Sequence, residues 1–177
     1  YTSVSTWISV MRLHEKSFEC YFYSPTRMYL LAAGHILAGA LRGMYSGVFI
    51  LVLGLVSGAG LVLNGWLLTA VALNSLLFAA LGFFAALMIE SHYDMNNFTN
   101  IVITPMSFLC GTFFSLDGIP RALKLVVDIM PLTHTTRLIR EISFGGSVNF
   151  LSMGVSALFV AVFTGCSVWA CYREAKA

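Results

Sequence analysis

The chain has 177 residues, of which 58% are hydrophobic and 10% are charged, with a formal net charge of +2. Soluble globular domains usually carry about 25% charged residues, so this composition excludes that class and indicates an integral membrane protein. The small net charge, without any local cluster of Lys and Arg, gives no sign of a nucleic-acid partner.

The chain opens with a short apolar stretch, YTSVSTWISVM, at residues 1–11. A membrane-spanning helix needs about 20 residues, so this stretch is too short to cross a bilayer alone. No charged region precedes it, which argues against a signal peptide. We therefore expect it to be the end of a span, and the chain to be a fragment whose upstream spans are missing.

A polar block follows at residues 12–27, RLHEKSFECYFYSPTR. Its residues Phe18, Tyr21 and Phe22 recur at helical spacing and would form one aromatic face. Pro25 then interrupts the pattern, because proline lacks the N–H that a helix needs and restricts the residue before it. The block is predicted to be a short amphipathic helix at a membrane surface.

Four long apolar segments predict an all-α, polytopic transmembrane helical bundle. A glycine-rich bend through Gly58, Gly60 and Gly65 follows the first span, and a polar loop at residues 90–97 precedes the third. The apolar runs lack the period-two alternation of barrel strands, which excludes a β-barrel. The predicted spans are Met28–Val56, Trp66–Ile89, Phe98–Leu116 (interrupted by Pro105 and Gly111) and Val148–Tyr172.

The first span carries Gly39, Gly43 and Gly47 at a spacing of four residues. This spacing puts the glycines on one helix face, where another backbone can approach closely. The neighbour is either a span of the same chain or a second subunit, and the pattern leaves both open. Arg42 lies between two of these glycines and either snorkels to the interface or faces a polar path.

Two charge-bearing amphipathic segments occupy residues 117–146, between the third and fourth spans. Asp117 and Pro120 predict the start of one helix, which Pro131 would end. A second helix is predicted from near Thr133 to the glycines at 145–146. Charged helices next to membrane spans are costly, so they suggest a moving or gating part of a transport system. Within the second helix, the spacing of Arg137 and Glu141 would allow an ion pair.

The charge distribution leaves the membrane orientation open. With residues 12–27 inside, the cytoplasmic cations would be Arg12, Lys16, Arg27, Arg173 and Lys176, and the outer ones Arg121, Lys124, Arg137 and Arg140.

Catalytic and metal-binding patterns are largely absent from the sequence. There is no GxxxxGK[ST] motif for binding ATP and no HExxH motif for zinc. Ser57 lies in LVSG, which lacks the first glycine of a GxSG turn, and His134 is predicted to be a surface residue rather than a base. The cysteines have no ligand spacing and read as small apolar core residues: Cys20, Cys110, Cys166 and Cys171.

Two segments together resemble the permeases of ABC-2 type exporters. KSFECYFYSP resembles the cytoplasmic coupling segment of that family, through Lys16, Ser17, Phe18, Glu19, Ser24 and Pro25. TPMSFLCGTFFSLDGIP and MPLTHTTRLIR resemble the family signature, through Thr104, Pro105, Gly111, Phe114, Pro120, Pro131, Leu132 and Arg140. Ser115 departs from the proline that the family often has there. The resemblance is strongest to permeases that export nodulation lipo-oligosaccharides or drugs.

This resemblance implies a non-catalytic permease subunit of an ATP-driven exporter in the bacterial inner membrane. Residues 1–177 would be one transmembrane domain that lacks the first span and most of the second. The partners would be a second permease copy, which the Gly39, Gly43 and Gly47 face could contact, membrane lipid, and a separate ATPase that binds ATP and Mg and contacts residues 12–27. Residues 117–146 would be extracytoplasmic re-entrant helices that form a gate. The alternatives are a secondary transporter or channel subunit and an intramembrane enzyme.

Overall fold

The computed structural model describes residues 1–13, 28–58, 60–89, 91–110, 127–128, 130–145 and 149–174. Within these ranges the chain is helical and contains no strand, which confirms the all-α prediction. The predicted coupling helix at residues 12–27 lies almost wholly outside the described residues. The helices are α1 (Thr2–Leu13), α2 (Met28–Val56), α3 (Gly65–Met88), α4 (His92–Phe98), a π-helical segment (Thr99–Ile103), α5 (Thr104–Leu109), α6 (Pro131–Ser143) and α7 (Phe150–Glu174).

Among the described residues, α2, α3 and α7 are long and apolar enough to cross a membrane. Their bounds agree within two residues with three of the predicted spans. Gly58 and Gly60 form the predicted bend between α2 and α3, with φ angles of 71° and 64°. Residues with a side chain rarely adopt this left-handed backbone conformation, so glycine is needed at both positions.

The prediction of a polar loop at residues 90–97 is wrong for residues 91–97, which the structure describes. Helix α4 begins at His92, and the Ser91 side chain accepts a hydrogen bond from the Tyr93 N–H at 3.2 Å. Met95 from the same stretch is buried in the core. The polar residues therefore cap and cover the first turn of a helix, which the sequence pattern alone did not reveal.

The described part of the third predicted span belongs to a continuous helix from His92 to Leu109, where α4, the π-helical segment and α5 join, and residues 111–116 of that span lie outside the described residues. The Thr104 N–H and hydroxyl both bond the Thr99 carbonyl, five residues earlier. A proline at 105 would press its ring against the carbonyl of Ile101 in a regular α-helix. The wider π turn just before Pro105 relieves this contact, so the expected interruption takes the form of a change in helix type.

Helix α3 is the centre of the bundle and packs against α1, α2, α6 and α7. About 61% of the most apolar stretch of α3 is buried within the protein. The corresponding buried share is 11% for α2 and 17% for α7. The remaining faces of α2 and α7 expose large apolar side chains such as Leu41, Phe49 and Leu158. In a membrane, such faces contact lipid or another subunit.

The glycine-rich face of α2 lies against helices of the same chain. A Cβ at Gly43 would be 3.0 Å from Ser75 Oγ of α3, and a Cβ at Gly47 would be 2.7 Å from Val71 Cγ1. Gly39 faces α1 as well as α3. Because no side chain separates them, α2 and α3 approach closely along this seam.

Candidate functional site at the start of α6

Helix α6 is bounded by a proline and a glycine. Pro131 is its first residue, a position where the missing N–H costs no hydrogen bond. Gly145 follows its end with a φ of 77°, as the sequence predicted for the helix end. The helix starts two residues before the predicted Thr133, because proline is well suited to the first position of a helix.

Helix α6 runs antiparallel to α3. At its end, the Ser143 carbonyl accepts a hydrogen bond at 3.0 Å from the Val62 N–H, in the bend before α3. Toward its start, the Thr135 hydroxyl donates to Asn74 Oδ1 at 2.9 Å. Between these contacts lies an apolar cluster formed by Leu67, Ala70, Leu138 and Ile142.

The start of α6 lies near the middle of the two longest neighbouring helices. Asn74 is the tenth residue of α3, and Phe159, whose ring stacks on His134 at 6.4 Å between centroids, is the tenth residue of α7. At about 1.5 Å per residue, both lie about 14 Å from the first residue of their helix. Trp66 and Phe150, near those first residues, meet edge to face at 6.1 Å. The first residues of α3 and α7 therefore lie at the same end of the bundle, and both distances of about 14 Å are measured from that end.

Polar contacts converge at this point, in what we call the tip cluster: Asp128, Thr133, His134, Thr135 and Arg137. The Thr133 hydroxyl donates to the Val127 carbonyl, and His134 Nε2 lies 2.9 Å from the Asp128 carbonyl oxygen. Arg137 Nη2 lies 3.4 Å from Asp128 Oδ1 and forms an ion pair with it. These contacts fix the chain on both sides of Pro131, so the turn into α6 has a defined shape.

The tip cluster is buried on one side and open on the other. Val127 and Thr133 are fully buried, whereas the side chains of Arg137 and Asp128 remain 37% and 39% exposed. Charged side chains deep between apolar helices are costly unless they face each other, water or a polar partner. The ion pair therefore forms a polar surface beside the start of α6, next to the apolar helices α3 and α7.

The predicted gate residues fall partly within this region. Pro131 begins α6, and Pro105 lies in α5, whose end contacts the turn before α6 through Cys110 Sγ and Met130 Sδ, 3.7 Å apart. Arg140 is exposed near the far end of α6, away from its start. The residues outside the described ranges are Gly111, Phe114 and Pro120 of the gate, and Lys16, Ser17, Phe18, Glu19 and Pro25 of the coupling segment.

Two expectations for α6 are wrong. Arg137 pairs with Asp128 rather than with Glu141, because the turn at Pro131 brings the preceding segment back against α6. His134 is half-buried between α6 and α7 rather than on the surface. The sequence also gave no partner for Asn74, although an amide in an uncharged span is itself a signal that a polar partner lies nearby.

Comparison with known proteins points to one family. Residues 1–144 match the family model described as "ABC-2 type transporter". No solved structure matches the chain.

Several curated proteins are similar to this chain. Nodulation protein J of Rhizobium leguminosarum bv. trifolii is 29% identical over 153 residues, which cover 84% of this chain and 57% of that protein. Nodulation protein J of Rhizobium meliloti is 33% identical over 91 residues, covering 51% of this chain and 35% of that protein. The inner membrane transport permease YadH of Escherichia coli is 23% identical over 122 residues, which cover 68% of this chain and 47% of that protein. The chain thus spans less than two thirds of the length of each of these relatives.

Proposed function

Because this chain belongs to the ABC-2 type transporter family, we propose that it is part of the membrane-spanning permease of an ATP-driven exporter. The permease subunit itself is non-catalytic, and a separate ATPase binds ATP and Mg and supplies the energy. Lys16, Ser17, Phe18, Glu19 and Pro25 contact that ATPase on the cytoplasmic side. The names of the relatives support the transport role, and YadH supports the bacterial inner membrane as its location.

The observation that carries the proposal is the depth of the tip cluster. With the coupling segment in the cytoplasm, the end of the bundle that holds Val62 and Ser143 is extracytoplasmic. Helix α6 is then re-entrant: it descends about 14 Å to Asn74, and half of a hydrocarbon core is about 15 Å thick. An ion pair held at that depth by a short helix is suited to an outer gate that closes the export path.

The proposed cargo is a lipid-linked saccharide or another amphipathic molecule, and the proposed assembly is a homodimer. The exposed apolar faces of α2 and α7 support both parts, since they offer surface to lipid tails or to a second copy. A secondary transporter or channel is the second candidate, because charged residues near mid-membrane are typical of its sites. The Asp128–Arg137 pair is the observation that favours it.

The test uses the full permease, reconstituted in proteoliposomes with its ATPase subunit. A fluorescent glycolipid is expected to move across the membrane only with ATP and the ATPase. The combined Lys16→Glu and Glu19→Arg change is expected to lower transport and ATPase stimulation at least about tenfold, as loss of an interfacial charge contact of about 1.4 kcal/mol would.

Arg173→Glu is the matched control, because Arg173 lies on the proposed cytoplasmic side but outside the coupling segment. Normal binding and stimulation of the ATPase by the combined variant would refute the coupling assignment. Transport driven by an ion gradient without the ATPase would favour the secondary transporter.

A further inference from the structure

Arg42 is the charged residue of α2 and occupies the middle of that helix. Fourteen helical residues precede it and fourteen follow it, between Met28 and Val56. Its side chain is exposed, whereas the adjacent Gly43 lies against α3. A charge in the middle of a spanning helix is a functional-site hypothesis that requires a named partner.

The contact with α3 fixes the depth of Arg42. Gly43 faces Ser75, the eleventh residue of α3, so Arg42 lies within one residue's rise of that level. At about 1.5 Å per residue, Ser75 is about 15 Å from the start of α3 and about 20 Å from its end. A hydrocarbon core of about 30 Å fits within α3 with little slack. Arg42 therefore lies at least about 10 Å from either face of the core.

Snorkelling is an unfavourable route for this side chain. The Cα–Cβ bond of a helical residue points toward the N-terminus of its helix. For Arg42 this is the direction of Met28, which lies at the same end of the bundle as the last residues of α3. In that direction the face of the hydrocarbon core is about 15 Å or more from Ser75. The nearer face lies in the direction opposite to the bond. The first bond of the side chain thus points along the longer of the two routes to the head groups.

The structure gives Arg42 no counter-charge. Among the described residues, none forms an ion pair or hydrogen bond with its guanidinium, and the Ser46 hydroxyl bonds the Arg42 carbonyl at 3.2 Å. By contrast, Arg137 is paired with Asp128. Arg137 belongs to α6, which bonds Asn74 at nearly the same level of α3 as Ser75. An anion from outside the described residues would neutralise Arg42 at this depth.

The surroundings of Arg42 indicate what kind of molecule carries this anion. Leu41, Tyr45 and Phe49, on the same side of α2, are 67%, 76% and 57% exposed. A single cation flanked by apolar side chains matches an amphiphile that has one anionic group attached to a hydrocarbon. We propose that Arg42 binds the anionic head group of the exported amphiphile during its passage, an inference that rests on the proposed export function.

The test measures lipid binding separately from transport, with the full permease and its ATPase in proteoliposomes. Two fluorescent monoacyl lipids serve as probes, one with a phosphate head group and one with an uncharged glucosyl head group. Arg42→Gln is expected to weaken binding of the phosphate lipid at least about tenfold and to change binding of the glucosyl lipid less than twofold, as loss of a charge-assisted contact predicts. Arg42→Lys, which keeps the charge, is expected to retain part of the phosphate binding.

The controls separate the two proposals. Arg173→Gln, at the end of α7, is expected to leave the binding of both lipids unchanged. Equal effects of Arg42→Gln on both lipids, or no effect on either, would overturn the role of Arg42 even if ATP-driven transport is observed. Selective binding of the phosphate lipid by the wild type and not by Arg42→Gln, without ATP-driven transport, would support the site and refute the export function.

Discussion

Asp128→Asn is expected to lower ATP-driven transport at least about tenfold, because in the proposed gate it leaves Arg137 within the membrane without its counter-charge. An unpaired charge at the centre of a spanning helix costs about 2.5–3.5 kcal/mol, and the partial exposure of this pair reduces that figure. A shift of about 1.4 kcal/mol between gate conformations is already tenfold. The substitution keeps the backbone contact between Asp128 and His134, so transport per folded protein reports the charge alone.

Glu141→Gln is the matched control, because it neutralises an acidic residue of the same helix away from the tip cluster, and it is expected to leave transport nearly unchanged. The double variant Asp128→Asn, Arg137→Gln is expected to recover part of the loss, since no uncompensated charge remains. A double variant whose defect equals the sum of the two single defects would contradict a coupled pair.

Gly43→Leu is expected to abolish most of the folded protein. Even the Cβ of the new side chain would lie 3.0 Å from Ser75 Oγ and 3.1 Å from Ser75 Cβ, so the remaining leucine atoms must separate α2 from α3. Overpacking of this kind costs about 1–3 kcal/mol and occasionally more. The measurement is the monodisperse yield and the melting temperature of the purified permease.

Gly34→Leu provides the control within the same helix. A Cβ at Gly34 has no atom within 4 Å in the described structure, so this variant is expected to keep the wild-type yield and melting temperature. Equal loss in both variants would show that α2 tolerates no large residue anywhere, rather than that the seam with α3 is tight.

The fold was predictable where strong local signals bound an apolar segment. The bounds of α2 follow from the apolar run itself and from Gly58 and Gly60, whose positive φ angles end it. The stretch after Ser91 was mispredicted because polar residues at the start of a helix resemble a loop, and only the burial of Met95 distinguishes them.

The tip cluster could not be predicted from sequence pattern because its contacts join distant parts of the chain. Thr135 and Asn74 are 61 residues apart, and neither has a local partner that would announce the contact. The ion pair of Arg137 follows from the turn at Pro131, whereas helical spacing pointed to Glu141. The residue types predicted a gate in this region, whereas the position of the start of α6 beside Asn74 followed only from the three-dimensional packing.

Disulfide cross-linking in native membranes tests most directly whether α6 descends to the middle of the bundle. The full permease, with its native cysteines replaced by alanine, would carry either Asn74→Cys with Thr135→Cys or Val62→Cys with Ser143→Cys. Both pairs are expected to cross-link under mild oxidation, because each joins residues in hydrogen-bond contact. Cross-linking of the Val62–Ser143 pair without the Asn74–Thr135 pair would mean that α6 lies flat across the end of the bundle, and would contradict a gate that reaches mid-membrane.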